Sequence, residues 1–144
     1  MKRCEKFLFD TGALLAFLNG GEGSETVKEL IDRVEAGSAE GYIAAITLAE
    51  LGAIYKRSAG FAQADRRILQ IRNSKLATIA LNAEIAAEAG MRVIPGVSFH
   101  EAIIAATAGS VGASVVTGNR NLERTYVQVT MYGTEMENSR PEHS

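Results

Sequence analysis

Short continuous apolar runs alternate along this chain with longer stretches whose apolar residues recur every three or four positions. That alternation predicts strands separated by helices. The first run, Phe7 to Phe9, stops abruptly at Asp10 and Thr11; a glycine follows, and a second apolar run continues to Leu18. The expected local structure is a buried strand that ends on a carboxylate, with a short helix leaving from it. Residues 19–24 form a glycine-rich surface loop, without the Lys followed by Ser or Thr that a phosphate-cradling loop requires. Ser24 is placed to cap a helix that carries Val27, Leu30, Ile31 and Val34 and runs to Gly37. Residues 41–46 read as a second buried strand. A helix follows with Leu48, Leu51, Ile54 and Tyr55 on one side, ending near Gly60, and another begins by Ala62 and carries Ile68, Leu69 and Ile71.

Leu76 to Leu81 is a third strand, after which Asn82 caps a helix from Ala83 to about Ala89, closed by Gly90. Pro95 and Gly96 make a turn, and Ser98 opens a helix from Phe99 to about Gly109. That helix is apolar nearly all round, which places it at the centre of the packing. Ala113 to Thr117 is a strand, and Tyr126 to Thr130 alternates as a last edge strand. Buried parallel-type strands separated by helices predict an α/β fold, a three-layer α/β/α sandwich with a central, mainly parallel sheet. One domain is expected over residues 1–132, with a polar, flexible tail over 133–144.

Composition narrows the function classes. Fifteen Lys and Arg against seventeen Asp and Glu leave a net charge of -2, so no global basic field advertises nucleic-acid binding, and any such contact must use a local patch. The single cysteine, Cys4, excludes an internal disulfide framework and an all-cysteine zinc site. Met-Lys-Arg before an apolar run imitates a signal peptide, but Asp10 interrupts the run and no small-residue cleavage site follows. No stretch reaches the roughly 18 apolar residues that span a bilayer. The expected location is the cytoplasm, with no membrane partner.

Three carboxylates stand at comparable topological positions. Asp10 follows the first strand, Glu50 lies in the first turn of the helix after the second strand, and Glu101 lies in the first turn of the apolar helix. Asn119 and Asn121 leave the end of the Ala113 to Thr117 strand. If the strands are parallel, all of these gather on one rim, where α/β sheets bind ligands. Crowded carboxylates repel one another, and a hard divalent cation such as Mg2+ or Mn2+ relieves that repulsion through oxygen ligands. Such a cation can activate water against a phosphodiester. Each acid also has a purely structural explanation. Asp10 can be a helix cap, and Thr47-Leu-Ala-Glu50 and Ser98-Phe-His-Glu101 both match the capping box. The two roles are compatible. Thr11 and Thr117 can orient carboxylates or water, or can simply finish strands, and His100 is expected as an exposed first-turn residue.

As a whole the pattern resembles the PIN-domain family, whose best-known members are the VapC-type toxins of toxin–antitoxin pairs. Phe-Leu-Phe-Asp10-Thr11-Gly-Ala-Leu-Leu-Ala looks like its first motif and Ile46-Thr-Leu-Ala-Glu50-Leu like its second. Gly96-Val-Ser-Phe-His-Glu101-Ala-Ile-Ile-Ala-Ala-Thr-Ala looks like the third, and Val115-Val-Thr117-Gly-Asn119-Arg120-Asn121-Leu like the fourth. The resemblance covers residues 6 to 130. It implies a Mg2+- or Mn2+-dependent ribonuclease, often a homodimer and often held inactive by an antitoxin. Catalytic and metal-binding roles then fall to Asp10, Glu50 and Glu101, with Asn119 as a further metal ligand and Thr11, Thr117 and Asn121 as orienting residues. Two departures bear on this. The third motif normally carries Asp where Glu101 stands, and the fourth normally supplies Asp where Asn119 and Asn121 stand, so three carboxylates remain, enough for one hard cation. The alternative is a catalytically weakened PIN-like domain that acts as an RNA- or protein-binding module.

Between Lys56 and Lys75 six basic residues face a single acid, Asp65. Arg66, Arg67 and Arg72, with Arg120 near the fourth motif, are the candidates for an RNA-binding strip; their alternative is a solvated helix face. A phosphatase-like hydrolase with Asp10 as nucleophile ranks low, because Gly12 stands where a second Asp would be required.

Overall fold

The structure is a computed structural model that describes residues 4–125 and 129–132. The expected tail from 133, the start of the expected last strand at 126–128, and the side chains of Arg120 and Asn121 lie outside the described residues.

Along the chain come β1 (Glu5–Phe9), α1 (Thr11–Asn19), α2 (Ser24–Glu35), β2 (Ala39–Ala44), α3 (Ala45–Ala59) and α4 (Phe61–Arg72). They are followed by β3 (Ala77–Ile79), α5 (Ala83–Arg92), α6 (Phe99–Val111), β4 (Ser114–Thr117), a 3-10 turn (Arg120–Thr125) and β5 (Val129–Met131). The strands form one sheet in the order β3-β2-β1-β4-β5, and every pairing is parallel. All five strands therefore end on the same rim.

Side-chain alternation in β1 builds the two faces. Phe7 and Phe9 pack with Leu14, Val27, Ile31, Leu51 and Ile71 from α1 to α4. Leu8 points the other way and packs with Ile104, Ala105, Ala108 and Val115 against α6. The small residues of α6 let it lie close to the sheet, with Ala102, Ala105 and Ala108 fully buried, as its all-round apolar sequence predicts. A third cluster, including Ile85, Ala89, Val97, Ala102 and Ala106, ties α5 to α6.

Several boundaries differ from expectation. Ser24 does not cap α2; Gly23 occupies that position in a left-handed conformation and offers no side chain. The strand expected over 41–46 lies two residues earlier, because α3 begins at Ala45 and its cap position is held by Ala44. Thr47 is therefore inside the helix and fully buried, so the capping box expected at Thr47 and Glu50 is not formed. Gly90 does not end α5, which continues to Arg92. Among the described residues no helix is long and apolar enough to cross a membrane.

Candidate active site

Asp10 stands one residue past β1, where its backbone N–H still donates to Val116 O at 3.2 Å and prolongs the β1–β4 pairing. Its side chain turns back, and Oδ1 accepts from Ala13 N–H at 2.8 Å, so Asp10 is the cap of α1. The cap and the cleft are the same residue. Burial pushes the Asp10 carboxyl above its ordinary value of 3.8; the Thr117 hydroxyl, the Ala13 N–H and His100 pull it down, and Glu50 pushes it up.

The later start of α3 places Glu50 in the second helical turn, away from any backbone N–H that a capping role would satisfy. Its carboxylate is held by side chains instead. Thr11 Oγ1 donates to Glu50 Oε1 at 2.5 Å, and His100 Nε2 lies 3.3 Å from the same oxygen. Glu101 does form the expected capping box with Ser98, accepting from Ser98 N–H at 2.9 Å through Oε1. Its second oxygen, Oε2, accepts from the Asn119 amide at 2.6 Å. Thr117, fully buried, accepts the Asn119 N–H at 2.9 Å and turns its hydroxyl to Asp10. Thr117 is thus a link between β4, Asn119 and Asp10.

These side chains line one cleft. Asp10, Thr11, Gly12, Glu50, His100, Glu101 and Asn119 surround a cavity of about 100 Å3, floored by Ile104 and Leu122. Among the described lining residues His100 is the basic group, beside three carboxylates. A wider recess of about 400 Å3 opens beside it, sharing Asp10, Gly12 and Asn119 and walled by Gly118 and Tyr132. Among the described residues no three His, Cys, Asp or Glu side chains converge as a ready-made metal group. The reason is visible in the bonds above, since each carboxylate is drawn toward a protein donor. The donor set itself, carboxylate and amide oxygens, fits one hard divalent cation.

Not every expected residue arrives here. Arg66 and Arg72 are exposed on α4, and Arg67 is half-buried, its guanidinium 5.6 Å from the Tyr55 ring. None of the three lines the cleft. Asn121 and Arg120 fall among the side chains outside the described residues. His100, expected as exposed, is instead half-buried in the cleft beside Glu50. Its neighbour Glu101 was visible as a motif residue. Nothing in the sequence tells which helix His100 would meet, because that depends on how α3 and α6 are placed across the rim. Tyr132 had no sequence signal at all.

The profile of the PIN domain matches residues 7–128. The chain belongs to the PIN-domain family. None of the curated proteins searched matches it, whereas solved structures of PIN-fold toxins do. VapBC2 from Rickettsia felis, bound to a DNA fragment from its promoter, aligns at 20% identity over 88% of this chain and 98% of that one, with a TM-score of 0.70. VapBC from Salmonella typhimurium aligns at 24% identity over 88% and 98%, with a TM-score of 0.68. VapC20 from Mycobacterium tuberculosis, a sarcin-ricin loop cleaving toxin, aligns at 16% identity over 86% and 98%, with a TM-score of 0.67. At these identities the likeness is one of fold: this PIN domain shares the all-parallel five-stranded sheet and its helical layers.

Proposed function

We propose that this PIN domain is a divalent-metal-dependent endoribonuclease and the toxin of a toxin–antitoxin pair. The observation that carries the reading is the gathering of Asp10, Glu50 and Glu101 in one small cleft at the C-terminal rim of a parallel sheet. A cleft lined by three carboxylates repels a phosphodiester by itself and attracts one when it holds a cation. Asp10, Glu50, Glu101 and the Asn119 oxygen would hold Mg2+ or Mn2+. When bound, the cation supplies charge neutralisation at the phosphate and lowers the pKa of a water.

The protein's own part is orientation. Ala13 N–H and the Thr117 hydroxyl fix the Asp10 carboxylate, and burial raises the energy of its charge, so the group is poised to gain from a cation. Thr11 and His100 hold Glu50 from two sides, and α6 presents Glu101 from its first turn. Ile104 and Leu122 floor the cleft with apolar surface, which strengthens electrostatic interactions above it. RNA as substrate is supported by family membership. The toxin role, an antitoxin partner and a homodimer are supported by likeness to the VapBC structures.

A second reading is a PIN-like domain that binds RNA or protein with little turnover. The observation favouring it is that Glu101 is engaged on both oxygens, by Ser98 and by Asn119, where the family pattern would place a free acid. One experiment separates the two: purified protein is incubated with mixed RNA and Mn2+, beside Asp10→Asn and a chelated control. Cleavage by the wild type that is lost in both controls is the expected result. Cleavage surviving in Asp10→Asn overturns the metal-nuclease reading, and no cleavage with any divalent metal supports the binding module.

A further inference from the structure

Two arginines cross between the fourth-motif segment and the connection that leads into α6. Arg92, at the end of α5, donates from Nη1 to Thr125 O at 2.6 Å. Arg124 reaches back and donates from Nη2 to Pro95 O at 2.8 Å. Each segment thus lends an arginine to a main-chain carbonyl of the other. Both carbonyls call for an outside donor. Residues 94–97 form a turn closed by Val97 N–H to Ile94 O at 2.9 Å, and the central Pro95 carbonyl takes no part in that bond. Thr125 ends the 3-10 turn, where a carbonyl has no donor from farther along the helix.

The chain makes room for both guanidinium groups. Gly96 takes the third place of the 94–97 turn at φ +89°, and a Cβ there would collide with Arg124 Nη1. A Cβ at Gly109 would stand 3.2 Å from Arg92 Nη2, so Arg92 passes α6 where that helix has no side chain.

What the crossing holds in place is Asn119. Hydrogen bonds run without a gap from Arg92 to the cleft. Thr125 Oγ1 donates to Leu122 O at 2.6 Å, and Leu122 N–H donates to Asn119 O at 3.2 Å. The Asn119 amide then donates to Glu101 Oε2. Thr125 and Leu122 are both buried, which limits how far this stretch can shift by itself. On the opposite side, Pro95 stands just before the Ser98 cap, and that cap fixes Glu101. The crossing therefore ties down both partners of the Asn119–Glu101 bond.

We infer that Arg92 and Arg124 are positioning residues, a reciprocal clamp that sets Asn119 against Glu101 where the cation is proposed to bind. Neither is among the described residues that line the cleft; each acts through Asn119 and the start of α6. A planar guanidinium suits this task, because its donors are rigidly directed and it stays charged. The inference rests on the metal-nuclease reading for the cation, and adds what keeps two of its ligands together.

Amide hydrogen exchange of the whole protein in EDTA, followed by NMR, tests the clamp without metal or RNA. Arg124→Met keeps an unbranched stem and removes the donors. In it the Asn119 and Leu122 N–H groups should exchange about tenfold faster, while Ile31 N–H in α2 changes far less. Arg124 is exposed, so its replacement spares the core, and Arg92→Met should show the same local pattern. Titration with Mn2+ then reads the consequence. Arg124→Met should weaken Mn2+ binding about threefold to tenfold, and should weaken it no further in an Asn119→Ala background. Unchanged exchange at Asn119 and Leu122 overturns the inference. So does equal acceleration at Ile31, the mark of an arginine that serves only global stability, or an equal loss of Mn2+ affinity in both backgrounds. A wild type that binds no Mn2+ counts instead against the metal-nuclease reading, and the exchange rates still decide the clamp.

Discussion

Thr11 Oγ1 donates to Glu50 Oε1 at 2.5 Å, joining the first residue of α1 to the second turn of α3 across the sheet rim. The bond spans 39 positions of sequence and is the direct tie between the Asp10 turn and the second motif. Thr11→Val keeps the side-chain shape and removes the donor, leaving Glu50 with His100 alone. RNA cleavage should fall roughly tenfold, the worth of one charge-assisted hydrogen bond, while Thr11→Ser retains most activity. Rates on a single RNA substrate check this. Equal rates for Val and Ser would mean that the hydroxyl has no part in positioning Glu50.

Glu101 has two roles that mutation can separate. Glu101→Gln keeps an oxygen to accept the Ser98 N–H and loses the charge. Glu101→Ala loses both. The Gln variant should unfold within about 0.5 kcal/mol of the wild type, and the Ala variant about 1 kcal/mol lower, the usual worth of a capping interaction. Both should lose RNA cleavage. Urea unfolding beside the activity assay reads the two effects; a Gln variant that cleaves normally would leave Glu101 a cap and nothing more.

Asp10 should cost the fold stability at neutral pH. Its carboxyl is raised above 3.8 by burial, so the native state binds the proton more tightly than the unfolded chain. The associated stability is fully present below about pH 3.8 and is lost as pH rises through the native value. Asp10→Asn removes the buried charge and keeps the acceptor for Ala13 N–H. In EDTA it should therefore raise Tm by about 2 to 5 °C at pH 7, with the gain vanishing near pH 3. Adding Mn2+ should reverse the order by stabilising the wild type alone. Calorimetry at the two pH values, with and without Mn2+, reads both. A variant less stable than the wild type at pH 7 in EDTA contradicts the assignment.

Asn119→Asp replaces an amide donor with a fourth acid, at a position 2.6 Å from Glu101 Oε2. Two carboxylates at that distance repel, and Glu101 loses the Asn119 donor. In chelator the variant should melt below the wild type, and the rise in Tm on adding Mn2+ should be larger than the wild type's. A metal response no greater than the wild type's would mean that residue 119 does not serve the cation.

Much of the fold was legible because burial is written twice along the chain. The continuous apolar run Phe7, Leu8 and Phe9 specifies a strand covered on both faces, and the all-round apolar Phe99 helix specifies a central one. The boundaries that moved were those where two local signals competed. Ala45 and Ile46 are apolar enough to extend β2, yet the chain turns into α3 there, so Thr47 goes into the core instead of onto the helix end. The Thr47 to Glu50 spacing was a real pattern with the wrong cause. Once the box is removed, Glu50 is explained by partners from α1 and α6.

The sequence alone determined which residues carry charge to the rim: Asp10 sits just past the first strand, and Glu50 and Glu101 lie in the opening turns of the two helices whose motifs mark them. It also determined the family, through motif order and spacing. Tertiary structure decided what those carboxylates meet. Thr11 reaches Glu50, His100 turns into the cleft, Asn119 holds Glu101, and Tyr132 stands over Gly12 only because five parallel strands end together and carry distant segments to one place. A strand's end can be read from neighbouring residues. Which strand lies beside it, and at what register, depends on packing over the whole chain.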